Sequence, residues 1–324
     1  MGGEFHLDNI VTQKAIQKKR NQTGFIRFII KHKFYHLLVL PGVVYFLLFH
    51  YVPIYGIIIA FKDYNGFGGI QGIWDSPWVG FQNFINFFNS PYFWRLLSNT
   101  FIISFYQLII GFPAPIILAL LLNEIRSHRF KRIVQTITYM PHFLSWVVIA
   151  GLMTQLLNNE GVVNHLLAYF NLERIDFLAS TTYFRSILVG SSIWQSIGWG
   201  TILYLAAIVN VPQDLYEAAT MEGASRWHKA VHITLPSISF VITILFILQM
   251  GKIIDQNFEQ ILNLYNPAVY EVADVFDTFV YRRGIVQGDF AYSAAVGLFK
   301  SVVSFILVIL ANKAVKKMGQ EGIW

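Results

Sequence analysis

The sequence predicts an all-α membrane protein of six transmembrane helices, and three observations carry that prediction. Only 13% of the 324 residues are charged and 55% are hydrophobic, whereas a soluble domain carries about 25% charged residues. Four stretches, 34–61, 96–123, 133–157 and 186–210, contain no Asp, Glu, Lys or Arg, and each exceeds the roughly 20 apolar residues that cross a hydrocarbon core. Two more complete the set once an intramembrane charge is allowed: 237–261, uncharged as far as Gly251, and 290–312, interrupted only by Lys300.

The third observation is where the basic residues fall, because loops rich in Lys and Arg stay cytoplasmic. With the N-terminus inside, the inner side receives Lys14, Lys18, Lys19, Arg20, Arg27, Lys31, Lys33, Arg126, Arg129, Lys131, Arg132, Arg226, Lys229, Lys313, Lys316 and Lys317. The outer side receives only Lys62, Arg95, Arg174, Arg185, Arg282 and Arg283. The expected organisation is therefore a basic cytoplasmic tail over 1–33, a membrane domain over 34–314 and a second cytoplasmic tail over 315–324. The net charge of +6 reads as topology and lipid contact, and not as nucleic-acid binding.

Each segment adds detail. The tail lacks a signal-peptide cleavage site, so the first span is expected to be retained, and His6 stands where a myristoylation motif needs Ser or Thr. Residues 25–35 mix bulky apolar side chains with Arg27, Lys31 and Lys33, as an interfacial helix or a solvated basic tail would. The segment 62–95 opens with a Gly-rich turn and continues with Trp74, Trp78, Phe81, Phe84, Phe87, Phe88, Tyr92 and Trp94, rings suited to a membrane interface. Pro41, Pro53, Pro113, Pro115 and Pro141 are expected to kink their helices, and Gly190, Ser191, Ser192, Ser196, Gly198 and Gly200 to let helices approach closely.

Catalytic constellations are missing: no Walker A sequence, G-x-S-x-G elbow or H-E-x-x-H occurs. No catalytic residue and no metal site is assigned. His228 and His232, four apart, have no carboxylate partner and read as a solvated surface. Cysteine is absent, which rules out structural disulfides.

The informative segment is the loop 211–236, VPQDLYEAATMEGASRWHKAVHITLP. Helix formers follow Pro212 and Asp214 and end at Gly223, which suits a helix terminus, so a short helix-turn-helix is predicted between two spans. Glu217-Ala218-Ala219, then Gly223-Ala224, then Ile233-Thr234-Leu235-Pro236 resemble the EAA motif of ABC importer permeases. Glu222 replaces the Asp usual in that motif. The resemblance runs over nearly the whole chain and points to the carbohydrate branch and its polysaccharide and oligosaccharide uptake subfamily, through ALLLNE (119–124), YMPHFLSW (139–146), DVFDTFVYRRG (274–284), AVGLFK (295–300) and the closing GIW (322–324).

Much is implied by that resemblance. The fold should be the type I importer (MetI-like) permease fold in the bacterial cytoplasmic membrane. The loop should act as a coupling helix that docks on an ATPase, with Glu217, Ala218, Ala219, Gly223, Ala224, Ile233, Leu235 and Pro236 in that role. The partners should be a second permease, two ATP-binding subunits that carry the ATP and Mg, and a periplasmic or extracellular solute-binding protein. The chain itself should be non-catalytic and hold no cofactor. The cargo should be an oligo- or polysaccharide, and a similarity to alginate importer permeases suggests an acidic one.

Gln249, Lys252, Gln256, Glu259 or Gln260, and Asn263 recur at three- and four-residue steps and would share one face of the fifth span. With Asp255 and Asn257 beside them, they could line a sugar pathway. Alternatively, Lys252 pairs with Asp255 and the amides lock helices together. Lys300 has no acid on its own helix, and a buried ammonium costs ~2.5–3.5 kcal/mol. A uronate on the substrate or an acid on another helix could each meet that charge. Two other functions fit a helical bundle: a secondary transporter or channel, which has no use for an EAA loop, and an intramembrane enzyme, for which Lys252, Asp255, Glu259 and Lys300 make no known catalytic set.

Overall fold

The computed structural model describes residues 31–66, 68–255, 257–317, 319 and 322. Among these the regular structure is helical, apart from an isolated antiparallel bridge between Lys62 and Trp78. The N-terminal basic positions up to Arg27, most of the 25–35 segment, Gln256 and the terminal pair Ile323-Trp324 lie outside the described residues.

Four helices are long and apolar enough to cross a membrane: Lys33–Phe61, Tyr92–Glu124, Phe184–Val209 and Phe290–Lys317. We call these the first, second, fourth and sixth spans. Two bent pairs raise the number to six. The bent pair His128–Phe143 with Trp146–Tyr169, turned by 103°, contains the third, and the pair Arg226–Ser237 with Ser239–Lys252, turned by 65°, contains the fifth. The chain divides into two units, the first ending at Ile58. The described part of that unit, residues 31–58, holds most of the first span, whose apolar window is 0% buried.

The prolines act differently from a uniform set of kinks. Leu47–Tyr51, Gln107–Gly111 and Ala230–Thr234 are single widened π-turns. Each closes on a residue whose N–H donates five positions back: Val52 to Leu47, Phe112 to Gln107 and Leu235 to Ala230. The next residue is in every case a proline, Pro53, Pro113 or Pro236. Proline has no N–H to give and its ring crowds the carbonyl four residues back. Widening the preceding turn relieves that crowding, and the first and second spans continue through it. Pro141 behaves otherwise. It sits in the tight turn Met140–Phe143, after which Leu144 and Ser145 are extended and Ser145 caps a new helix by accepting from Val148 N–H at 3.4 Å. The third span, expected as one helix over 133–157, is therefore two.

The Gly-rich segment after the first span also folds further than expected, into short helices Gly69–Asp75 and Gln82–Phe88. Trp74, Trp78, Phe81 and Trp94 are exposed, but Phe87 is fully buried and packs against Phe93, Phe276, Tyr292 and Phe299. Lys62 is buried, its ammonium donating to the carbonyls of Ile73 at 2.7 Å and Trp74 at 2.8 Å. At the other end of the bundle Ile116, Ala119, Tyr204, Ile208, Val211 and Ile238 form a core between the second and fourth spans and the start of the fifth. Close approach is concentrated at Gly198, where a Cβ would collide with the carbonyl of Thr138, and at Gly200, which faces the ring of Pro115.

Candidate functional site

The loop between the fourth and fifth spans is rigidly fastened. Its helix, Gln213–Met221, ends at Glu222, and Gly223 follows with φ of +80°, a left-handed backbone that glycine adopts without penalty. Ala224 N–H then returns to the Ala219 carbonyl at 2.8 Å. Ser225 caps the next short helix, Arg226–Lys229, by accepting from His228 N–H at 3.2 Å. The two arms are joined by Tyr216 Oη to Thr234 Oγ1 at 2.9 Å and Lys229 Nζ to Thr220 Oγ1 at 2.7 Å. Arg226 reaches Glu124 at the end of the second span, 3.7 Å away. Ile233 and Leu235 pack on the Tyr204–Ile238 core. Glu217 and Ala218 point outward, and Met221 and Trp227 are 88% and 76% exposed. His228 and His232 stack at 4.1 Å on the exposed side.

The other predicted residues do not share one face, because the fifth span breaks. The helix ends at Lys252, residues 253–255 turn, Asn257 takes a left-handed φ of +75°, and a new helix runs Phe258–Leu264. Asp255 and Asn257 fall in this break, and Glu259 and Asn263 belong to the second helix, where Asn263 donates to the Glu259 carbonyl. Gln260 is fully buried, its amide donating to the Leu188 carbonyl and Ser191 Oγ, both at 2.7 Å. It therefore locks the fifth span to the fourth and cannot present its amide to a passing solute. Gln249 and Lys252 line a cavity of about 420 Å³ between the second, fourth and fifth spans.

Lys300 meets acids from other elements. Its ammonium bonds Asp277 and lies 2.5 Å from Asp255. The i+3 pairing of Lys252 with Asp255 is not formed, and a substrate carboxylate is not needed to balance Lys300. Burial raises the Asp277 carboxyl above its ordinary range, a rise that the hydrogen bond and charge of Lys300 oppose.

A profile described as "Binding-protein-dependent transport system inner membrane component" matches residues 111–320. The chain belongs to this family. It is accordingly a multi-pass membrane protein and a transport permease of the binding-protein-dependent type. It is 48% identical over 311 residues to the polygalacturonan/rhamnogalacturonan transport system permease protein YteP of Bacillus subtilis (strain 168), covering 96% of each chain. Protein LplB of the same strain is 47% identical over 91% of this chain and 92% of its own. Among solved structures, a chain of a bacterial alginate ABC transporter in complex with an alginate pentasaccharide-bound periplasmic protein superposes with a TM-score of 0.84 at 38% identity, over 92% of this chain and 99% of that one.

This permease also contains a polar cluster that no single sequence motif exposed. Asp274, 0% exposed, accepts from Arg282 at 2.6 and 3.1 Å, from Arg95 at 3.3 Å and from Thr278 at 2.9 Å. Asn99 of the second span donates to the Glu271 and Asp274 carbonyls, and Arg185 of the fourth span joins Asn99 Oδ1 to the Val272 carbonyl. Burial alone would lower the proton affinity of Arg282, but its bonds to Asp274 and Tyr265 outweigh burial and the guanidinium is held still more firmly charged. The cluster pins the segment between the fifth and sixth spans to the second and fourth. Its members come from four separate stretches. The signal available in the sequence was the block DVFDTFVYRRG, which holds Asp274, Thr278 and Arg282; Arg95, Asn99 and Arg185 lie outside the quoted blocks.

Proposed function

We propose that this chain is one of two permease subunits of an ATP-driven importer, that it forms half of the translocation pathway for an acidic oligosaccharide, and that it takes up the ATPase stroke through the loop 211–236. The observation that carries the coupling is the loop itself: Glu217, Met221 and Trp227 stand exposed on an element braced to the second, fourth and fifth spans, so a force applied there is passed to the bundle. ATP and Mg belong to the two partner ATPase subunits, and a solute-binding protein delivers the sugar on the far side. The cargo class is supported by the relatives, since polygalacturonan and alginate are both chains of uronic acids. In this reading both termini and the segments 124–132 and 210–236 are cytoplasmic.

The coupling role is tested at Glu217. Reversing one charge of a docked ion pair costs roughly 2–5 kcal/mol, so Glu217→Lys should reduce recovery of the ATPase subunit in a pull-down, or binding-protein-stimulated hydrolysis, by about tenfold or more. Wild-type values in both assays would remove the assignment.

A further inference from the structure

Two lysines belong to the helices of the fifth and sixth spans, and the protein treats them differently. Lys300 is clamped between Asp255 and Asp277, so its charge is already met. Lys252 enters no ion pair among the described residues. The acid three positions on, Asp255, is the one engaged by Lys300 at 2.5 Å. Lys252 is instead exposed and lines the cavity of about 420 Å³, whose polar side chains are Ser196, Trp199, Tyr204, Gln249 and Lys252 itself. No carboxylate lines that cavity.

We propose that Lys252 is the residue by which the permease selects a sugar that carries a carboxylate. The inference rests on the importer reading above and deepens it. Ionisable side chains within a membrane are expensive and are met by a partner or by a function. Where the wall supplies a single cation, hydroxyl and amide groups and an aromatic plane, the complementary solute is a hydroxylated ring bearing one negative charge. Lysine meets this need with a compact ammonium on a flexible stem with rotatable donors, which attracts a carboxylate without fixing its pose. A site that must release each uronate as the next arrives needs no tighter hold.

The test uses the complete complex of both permeases, ATPase subunits and binding protein in proteoliposomes, with trigalacturonate and its carboxyl-reduced neutral trimer as probes. Lys252→Met removes the charge at nearly constant volume and relieves a membrane-embedded ion, so folding is not at risk. It should lower trigalacturonate uptake about tenfold or more, Lys252→Arg should stay within about threefold of wild type, and binding-protein-stimulated ATP hydrolysis should change by less than about twofold in either. Wild-type uptake by Lys252→Met overturns the assignment. Failure of Lys252→Arg equal to that of Met, or hydrolysis falling in step with uptake, also overturns it, because the lysine then serves assembly. Should the wild-type complex carry only the neutral trimer, the Lys252 assignment falls and the importer stands. If it carries neither trimer, the importer reading falls as well.

Discussion

Asp274 shows how one side chain sets the geometry of this permease. Fully buried, it satisfies Arg282 and Arg95 together and accepts from Thr278. A buried ion pair adds little net stability over an apolar replacement, but removing one partner strands the other and typically costs about 3–5 kcal/mol. Asp274→Asn should therefore lower the thermal midpoint of the detergent-solubilised complex clearly. Asp274→Leu combined with Arg282→Met should recover part of the loss. An unchanged midpoint in the single variant would show that the guanidinium groups find other partners. Residue roles were legible here only in part. The short helix that carries Glu217 and its end at Gly223 were legible, since the loop signals are contiguous in sequence. Gln260 and Lys300 did not reveal themselves, because their partners, Ser191 and Leu188 in one case and Asp255 and Asp277 in the other, are fixed by tertiary packing. Periodicity sees only neighbours on the same helix.

Among the elements, hydropathy located the apolar segments but not their continuity. The widened turns before Pro53 and Pro113 keep the first and second spans whole, while Pro141 and the turn around Asn257 end helices. The orientation of these elements makes a direct prediction. Cysteine is absent from the chain, so single cysteines give a clean accessibility map. Arg129→Cys should be protected from an impermeant thiol reagent added outside intact cells, and Arg174→Cys, whose parent side chain is exposed beside Glu160, should react. The opposite pattern would invert the proposed topology.

The unit that begins at Ile59 holds the loop, the cavity and the polar cluster together. At one end the loop 211–236 offers an exposed face, and at the other the segment between the fifth and sixth spans is pinned by Asp274, Arg95, Asn99 and Arg185. Between them lies the cavity that Lys252 and Gln249 line. The fold class, an all-α bundle of this importer type, was legible from composition, apolar runs and the loop motif together. The polar face expected on the fifth span was not, because the break after Lys252 redistributes side chains that an unbroken helix would have aligned. The central claim is that a partner's ATP hydrolysis drives a sugar through this bundle. Its most direct test is uptake of trigalacturonate into proteoliposomes holding the full complex, with and without internal ATP and with and without the binding protein. Accumulation that requires both is the predicted result, and uptake that persists without ATP, as a channel or ion-driven carrier would show, contradicts it.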